Sequence, residues 1–496
     1  MANRNLRDLL APLGIQAPYK VLKKITLDSR NVAEGDLFFA INGNQTDGRK
    51  YIAQAIERGV AAVIAETNCA LKSGKIKYMY DVPIISVNNL KNQLSFLAGE
   101  FYQHPATKLR LVGITGTNGK TTTTHLIAQW ANGINETSAV MSTVGNGILE
   151  HIVPSKNTTS SAVDIQNELQ LLVNKNATLV AIEVSSHGLV QGRVSALPFT
   201  ATVFTNISHE HLDYHGDLQS YKDAKWLLFS THKSDKQIIN VDDDTGLQWL
   251  QKLPHACAVS IKDRIPPDWL GAWVLVEKIN YHQYGTSIHF NSTWGKGSLK
   301  SPLIGIFNVN NVMLAMATLL MMGYSFDSVI KSANVLQPVC GRMEIFISTG
   351  YPTVIIDYAH TPDALKKALM ATRLHYQGKK LWCIFGCGGN RDKSKRAFMG
   401  RIAEQYADTV VITNDNPRSE KSNDIIKDIL NGFLNSSKAV SIIDRVQAIT
   451  NVIINANVED VILIAGKGHE DYQIIGNRRI EHSDRLTVAR LLGIMT

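Results

Sequence analysis

Short apolar runs, each ending at a Gly, Asn, Ser or Asp, recur along the chain at 109–115, 178–184, 201–205, 353–356, 381–385, 409–413 and 461–465. Runs of this length without polar alternation are the pattern of strands covered on both faces, as in a parallel sheet. Between them lie segments with helical spacing, among them Thr122–Trp130, Asp363–Leu374 and Ser422–Leu434. Alternation of this kind predicts a doubly wound α/β protein whose ligand chemistry gathers where the strands end. The first ninety residues read differently, as mixed short strands with a helical Tyr51–Gly59 and a run Val82–Val87. A boundary is placed near residue 90, and a second at Leu336-Gln337-Pro338, where a proline follows a long apolar helical pattern. The expected domains are therefore 1–90, 91–338 and 339–496, in keeping with a length of 496 residues.

Composition narrows the class without naming a function. Hydrophobic residues make up 44% and charged residues 19%, with 35 Gly and 14 Pro, the usage of a folded, soluble protein. The formal net charge of +8 is spread over the chain with no polybasic tail, so neither nucleic acid nor an anionic membrane is an expected partner. Five cysteines at unrelated spacings, without a Cys-x-x-Cys, fit a reducing cytoplasm. The N-terminus lacks an apolar signal segment, and the most apolar stretch, Val312–Gly323, is too short to span a bilayer.

The strongest chemical signal is Gly113-Ile114-Thr115-Gly116-Thr117-Asn118-Gly119-Lys120-Thr121, set between a strand pattern and a helix pattern. Glycines let the backbone wrap a polyphosphate, successive N–H groups point at its oxygens, Lys120 adds a charge, and the Thr121 hydroxyl can ligate Mg²⁺. The match to the strict phosphate-loop template is imperfect, because the first glycine is at 113 rather than 114; ATP or GTP binding is the expectation. Glu183, closing another strand, offers a carboxylate for the same metal, and His211, in Ser208-His209-Glu210-His211-Leu212-Asp213, a further ligand.

These segments, with Glu183-Val184-Ser185-Ser186-His187-Gly188 and Gly305-Ile306-Phe307-Asn308-Val309-Asn310-Asn311, resemble the Mur ligase family, whose members form amide bonds at the expense of ATP in bacterial cell-wall synthesis. The likeness runs from Leu27-Asp28-Ser29-Arg30 to Gly466-Lys467-Gly468-His469-Glu470. It implies a central phosphate-loop ATPase-type parallel sheet, a Rossmann-like C-terminal domain that binds an amino acid, and a mixed α/β N-terminal domain that binds a UDP-linked substrate. It implies ATP contacts at Gly116, Thr117, Asn118, Gly119, Lys120, Thr121, Thr122, Asn308, Arg342, Asp357 and His360. Catalytic roles fall on Lys120, Lys225 and His211, and Mg²⁺ on Thr121, Glu183, His211 and Lys225, the last carried as a carbamate that turns an ammonium into an anionic oxygen ligand.

The resemblance places a UDP-muramoyl dipeptide on Leu27, Ser29, Asn44, Gln45, Thr46, Asn157, Thr158, Thr159, Ser185, Gln191 and Arg193. Within the family, Asp415-Asn416-Pro417-Arg418 resembles the signature of members that add meso-diaminopimelate, with Arg391, Gly466 and Glu470 as further contacts. An arginine can grip a distal carboxylate through two parallel hydrogen bonds, and L-lysine has no such carboxylate. The partners implied are small molecules alone, the chain acting as a monomer. The competing readings are an L-lysine-adding or folylpolyglutamate-type ligase, and, in another class, a phosphate-loop ATPase acting on nucleic acid or a partner protein. The basic cluster Arg391, Lys393, Lys395, Arg396 lacks interleaved aromatics and reads as a solvated loop with one functional arginine.

Overall fold

In the computed structural model, which describes residues 4–43, 46–155, 157–232 and 234–494, the chain forms two compact units. The first comprises residues up to Lys120 and Asn135–Gln237; the second comprises Thr121–Ile134 and the chain from Ile238 onward. The expected α/β character holds throughout, and the apolar runs that predicted strands form them.

The first unit begins with a five-stranded sheet in which Ile25–Thr26, Leu37–Ala40, Ala62–Thr67 and Val82–Asn88 run parallel and Ile76–Met79 is an antiparallel edge. The helix Leu90–Phe101 lays Leu90, Leu94, Leu97 and Phe101 into the same core as Leu37, Phe39, Ile64 and Ile85. The predicted Tyr51–Gly59 helix is shorter, a 3₁₀ turn at Gly48–Tyr51 leading into Ile52–Glu57. The strand Arg110–Thr115 then pairs in parallel with Phe199–Phe204 on one side and Leu179–Glu183 on the other, with Ser138–Met141 beyond. It is buried over Leu111–Thr115 because both faces are covered, which is why its sequence is an unbroken apolar run.

In the second unit, Ile238–Asn240 pairs in parallel with Cys257–Val259. Beyond lies an antiparallel ribbon, Trp273–His282, Gly285–Ser292 and Gly297–Ser301, which the run-based reading did not anticipate. Its strands expose one face, so apolar residues alternate with polar ones and no continuous run marks them. The predicted apolar helix runs from Ile306 to Met321. The C-terminal sheet has the spatial order Glu344–Phe346, Thr353–Asp357, Val461–Ala465, Leu381–Phe385, Thr409–Ile412, Ala439–Ser441, all parallel except the first. Helices Pro362–His375, Ser394–Tyr406 and Ser422–Leu430 cover one face and Arg445–Asn455 and Asp484–Leu491 the other. The strand order jumps beside Leu381–Phe385, so the loops after Ala465, Phe385 and Ile412 open at adjacent strand ends, the position where such sheets bind ligand.

Candidate active site

The phosphate loop follows directly from the strand Arg110–Thr115 and runs into the helix Lys120–Gly133. Gly116 and Gly119 both take positive φ, and a Cβ on Gly116 would collide with the Thr205 hydroxyl, so only glycine lets the loop lie this close to the neighbouring strand end. That strand end holds the loop in place. Thr117 N–H donates to Asn206 O (2.7 Å), Asn118 N–H to Asn206 Oδ1 (3.1 Å), and the Thr205 hydroxyl to Asn118 O (2.7 Å). Lys120 Nζ reaches back to Gly116 O (2.9 Å) and Thr117 O (2.8 Å).

Lys225, on the helix Leu218–Ser230, is 1% exposed, and its Nζ donates to Gly116 O at 2.7 Å. Burial, reinforced by the Lys120 charge, pushes its amine well below the usual lysine range, which favours the neutral form. Tyr221, one turn earlier, bonds the Thr117 hydroxyl (3.1 Å) and turns its ring to Lys225. His211 takes a left-handed backbone, with its ring edge-on to His187 (centroids 5.1 Å). Burial and the neighbouring His211 and His215 drive His187 down to about 4.

Glu183 is buried at the end of its strand, and its carboxylate accepts from Thr143 N–H (2.9 Å) and Thr143 Oγ1 (3.1 Å), a partner forty residues away that the sequence reading did not single out. Of the residues expected on the UDP-linked substrate, several join into one network. The Thr158 and Thr143 hydroxyls are hydrogen-bonded to each other (3.1 Å), Thr159 Oγ1 donates to Glu183 O and accepts from Ser185 N–H, and Arg193 holds Gln191 Oε1 (2.7 Å) and Thr159 O. Ser185 caps the helix Ser186–Val190 by accepting from Gly188 N–H. In the N-terminal sheet region Ser29 is buried and bonded to Gln54 (2.7 Å), Leu27 lies against the core and Thr46 is exposed. Asn157 is exposed, and Asn44 and Gln45 lie outside the described residues.

In the second unit Thr121 and Thr122 are buried in the first turn of the helix Lys120–Gly133, and Thr121 Oγ1 accepts from Arg342 Nη2 at 3.2 Å. Arg342 stacks over Tyr358, 4.4 Å from the ring centre, and His469 lies against the same ring. Burial and the Arg342 charge lower both His125, to about 4, and His469, to about 3, so both are neutral imidazoles near pH 7. Asn308 sits in the first turn of Ile306–Met321, its side chain taken up by Ile304 O (2.8 Å) and Asn311 Nδ2 (3.0 Å); Asn311 in turn accepts from Thr123. Asp357 accepts from Met343 N–H and Ala359 N–H, both 2.8 Å, and His360 Nδ1 bonds Tyr358 O. Burial pushes the Asp357 carboxyl up, against the pull of Arg342.

At the C-terminal strand ends, Asn416 Oδ1 accepts from Ile474 N–H (2.9 Å) and Lys467 Nζ (3.2 Å), while its Nδ2 donates to Glu470 Oε2 (3.2 Å). Lys467, fully buried, completes the triangle with Glu470 at 2.6 Å. Asp415 Oδ2 lies only 2.8 Å from where a Cβ on Gly466 would be, and Pro417 is buried. Arg418 Nη1 donates to Gly389 O (2.9 Å) and Asn416 O (3.3 Å). Arg391 is exposed on the facing loop.

Arg391 and Lys393 of the basic cluster are exposed, as a solvated loop would have them, but Arg396 is not. Arg396 is fully buried, bonded to Asp428 (2.8 Å), both Glu420 oxygens and Gly388 O, because the helix Ser394–Tyr406 turns it inward against two carboxylates that the local sequence does not reveal. Glu420 also accepts from Asn390 N–H, and Asn390 Oδ1 from Ser419, so the 388–391 and 415–420 loops are tied to each other. Glycines let these loops cross so closely that a Cβ on Gly386 would strike Thr413 O and one on Gly389 would strike Pro417 O. Behind them, Arg445 binds Asp484 with two bonds of 2.8 Å and donates to Asn414 O (3.2 Å) and Ala465 O (2.9 Å), bracing the residues just before Asp415 and Gly466.

Three stretches match known domains: 21–102 the Mur ligase family catalytic domain, 114–319 the Mur ligase middle domain and 341–468 the Mur ligase glutamate ligase domain. A solved UDP-N-acetylmuramoyl-L-alanyl-D-glutamate–2,6-diaminopimelate ligase is 31% identical, with 99% of each chain covered and a TM-score of 0.69. The chain belongs to the Mur ligase family. It is therefore an ATP-dependent, amide-bond-forming ligase with the three-domain α/β fold of that family. Further solved structures share the fold at lower identity. The UDP-N-acetylmuramoylalanyl-D-glutamyl-2,6-diaminopimelate–D-alanyl-D-alanyl ligase from Acinetobacter baumannii is 17% identical over 94% of this chain and 96% of its own, TM-score 0.67. Folylpolyglutamate synthase from Mycobacterium tuberculosis is 16% identical over 76% and 93%, TM-score 0.62.

Mur ligases use ATP and Mg²⁺. The residues present fit both. The loop offers glycines in the backbone conformation that phosphate wrapping needs, and the Thr121 hydroxyl and Glu183 carboxylate are the hard oxygen donors Mg²⁺ prefers. No helix among the described residues is long and apolar enough to cross a membrane.

Proposed function

We propose that this Mur ligase joins meso-diaminopimelate to UDP-N-acetylmuramoyl-L-alanyl-D-glutamate through an acyl phosphate, with the nucleotide-sugar end held by residues 1–90, ATP by 91–338 and the amino acid by 339–496. The observation that carries the reading is the loop Asp415–Arg418, closing the strand Thr409–Ile412 with Arg418 anchored at Nη1 beside the loop that bears Arg391. Two guanidiniums on neighbouring loops suit an amino acid with a carboxylate at each end. The 31% identity to a ligase named for 2,6-diaminopimelate supports the same choice.

The chemistry follows from the groups present. A carboxylate is a poor electrophile, and transfer of the γ-phosphoryl group to its oxygen creates a leaving group that the amine nitrogen displaces, forming the amide and releasing phosphate. Lys120 meets the phosphates at this turn and balances their charge. Thr121, Glu183, His211 and a carbamylated Lys225 are the residues that would hold Mg²⁺, which would supply further charge neutralisation when bound. We assign Lys225 as the site of a carbamate: burial shifts its amine toward the unprotonated form, in which it can form a C–N bond with CO₂ and lose a proton, leaving an anionic oxygen ligand. Asn308, Arg342, Asp357 and His360 are assigned to the nucleotide, and the Thr158–Arg193 network to the muramoyl dipeptide.

The test is amine-dependent ADP release. Turnover should require the UDP-muramoyl dipeptide and meso-diaminopimelate together, and equal turnover with L-lysine would remove the assignment. Arg418→Ala should raise KM for diaminopimelate about ten- to a hundredfold, the worth of hydrogen bonds to a charged group, with KM for ATP little changed. Equal effects on both constants would make Arg418 a structural residue.

A further inference from the structure

We propose that the terminal hairpin, Tyr472–Ile475 paired with Arg478–Glu481, is a specificity element of the amino-acid site, acting by holding Arg418 in its working conformation. This rests on the reading of Arg418 given above. Arg418 has φ +53°, in the left-handed region that residues with a Cβ disfavour. Such a conformation persists only where the surroundings impose it, and it clusters at functional sites.

The hairpin imposes it here. Arg418 N–H donates to Ile474 O (3.0 Å) and Gly476 N–H donates to Arg418 O (2.7 Å), so both main-chain polar groups of the residue are bound, in a parallel bridge between Arg418 and Ile475. The same strand binds the rest of the loop: Gln473 Nε2 donates to Asp415 O (2.9 Å) and Ile474 N–H to Asn416 Oδ1 (2.9 Å). With its backbone fixed, Arg418 turns Nη1 onto Gly389 O, across to the loop that carries Arg391.

The hairpin has little other reason to exist. Among the described residues its strands form a two-stranded sheet of their own, joined to another segment by the Arg418–Ile475 bridge, its outer strand Arg478–Glu481 is exposed throughout, and none of its residues belongs to the buried apolar clusters of the C-terminal sheet. Its two-residue turn, Gly476-Asn477, places a glycine at positive φ and so fixes the register that brings Ile474 and Gly476 opposite Arg418. Its neck closes through His482 N–H to Asp471 O (2.9 Å), while Arg479 stacks on Tyr472 at 4.0 Å, so it is a rigid strap rather than a loose loop.

The experiment replaces residues 473–480 by Asn-Gly, joining Tyr472 to Glu481 through a tight turn, and compares kinetics with diaminopimelate and L-lysine. The expected result is a KM for diaminopimelate raised about tenfold, the loss of one charge-assisted hydrogen bond, with KM for ATP within about twofold and the preference for diaminopimelate over L-lysine reduced to a similar degree. Gln473→Ala should raise the same KM about threefold, and Gly476→Asn, which tolerates the positive φ and keeps the N–H, should behave as the parent. Unchanged amine KM and selectivity in the shortened protein, or a parallel rise in the KM for ATP, overturns the proposal. If the shortened protein does not fold, Gln473→Ala decides alone, an unchanged KM overturning it. If the parent enzyme prefers a different amine, the diaminopimelate assignment falls, and the hairpin is judged by the same shifts measured with the preferred amine.

Discussion

Lys120→Ala is expected to lower kcat/KM for ATP-driven ligation by roughly 10²- to 10³-fold, the cost of removing one preorganised group that meets developing charge, while leaving the fold intact. The reason for both halves lies in the loop. Lys120 Nζ sits on two carbonyls of its own turn, Gly116 and Thr117, whereas the turn itself is held by Thr205 and Asn206 through the bonds to Thr117 and Asn118. Losing the ammonium should therefore remove the charge assigned to the phosphates without releasing the backbone of the turn. Lys120→Arg is expected to recover little, because a planar guanidinium does not fit the compact site of an ammonium between two carbonyls. ADP release with saturating substrates, alongside a urea-unfolding curve, checks the prediction, and activity within a few-fold of the parent would show that the lysine is not a phosphate ligand.

The second large effect is on stability. Asp484→Asn should cost about 3–5 kcal/mol, because it leaves the Arg445 guanidinium buried without a counter-charge. Both side chains are fully buried, and His482 Nε2 adds a third hydrogen bond to the same carboxylate at 2.8 Å. Burial alone would raise the Asp484 carboxyl, but the Arg445 charge and the bonds from Arg445 and His482 overcome it and hold the group well below the ordinary carboxylate range. A depressed folded-state pKa gives stability that is fully present above the unfolded value of about 3.9 and is lost as pH falls through the folded value. The gap in urea midpoint between parent and variant should thus be wide and flat from pH 7 to pH 5 and narrow below pH 4. A gap that did not narrow in acid would mean that the carboxylate charge is not what stabilises the pair.

What the sequence made legible was whatever is local. The buried parallel strands announced themselves as apolar runs, and the phosphate loop was readable because its glycines, lysine and threonine are consecutive. The antiparallel ribbon at 273–301 was missed because a half-exposed strand such as Trp273–His282 mixes Glu277, Lys278 and Asn280 among its apolar positions. The partners that set the site are non-local. Thr143 meets Glu183 across forty residues, Arg445 meets Asp484 across thirty-nine, and Glu420 meets Arg396 across twenty-four. Nothing in the spacing of any of these pairs marks them, so Arg396 looked like one more surface charge beside Arg391.

The crossing of the 386–389 and 413–417 segments has a consequence for anyone wishing to change the amine this ligase accepts. Where main chain rests on main chain with no room for a methyl group, neither segment can be rebuilt without the other, and swapping in a single loop from a relative would collide with the one left behind. On the proposed assignment the practical handles are the side chains that leave this knot, Arg391 and Arg418, and the strap beside it; the knot itself is best treated as a fixed mount.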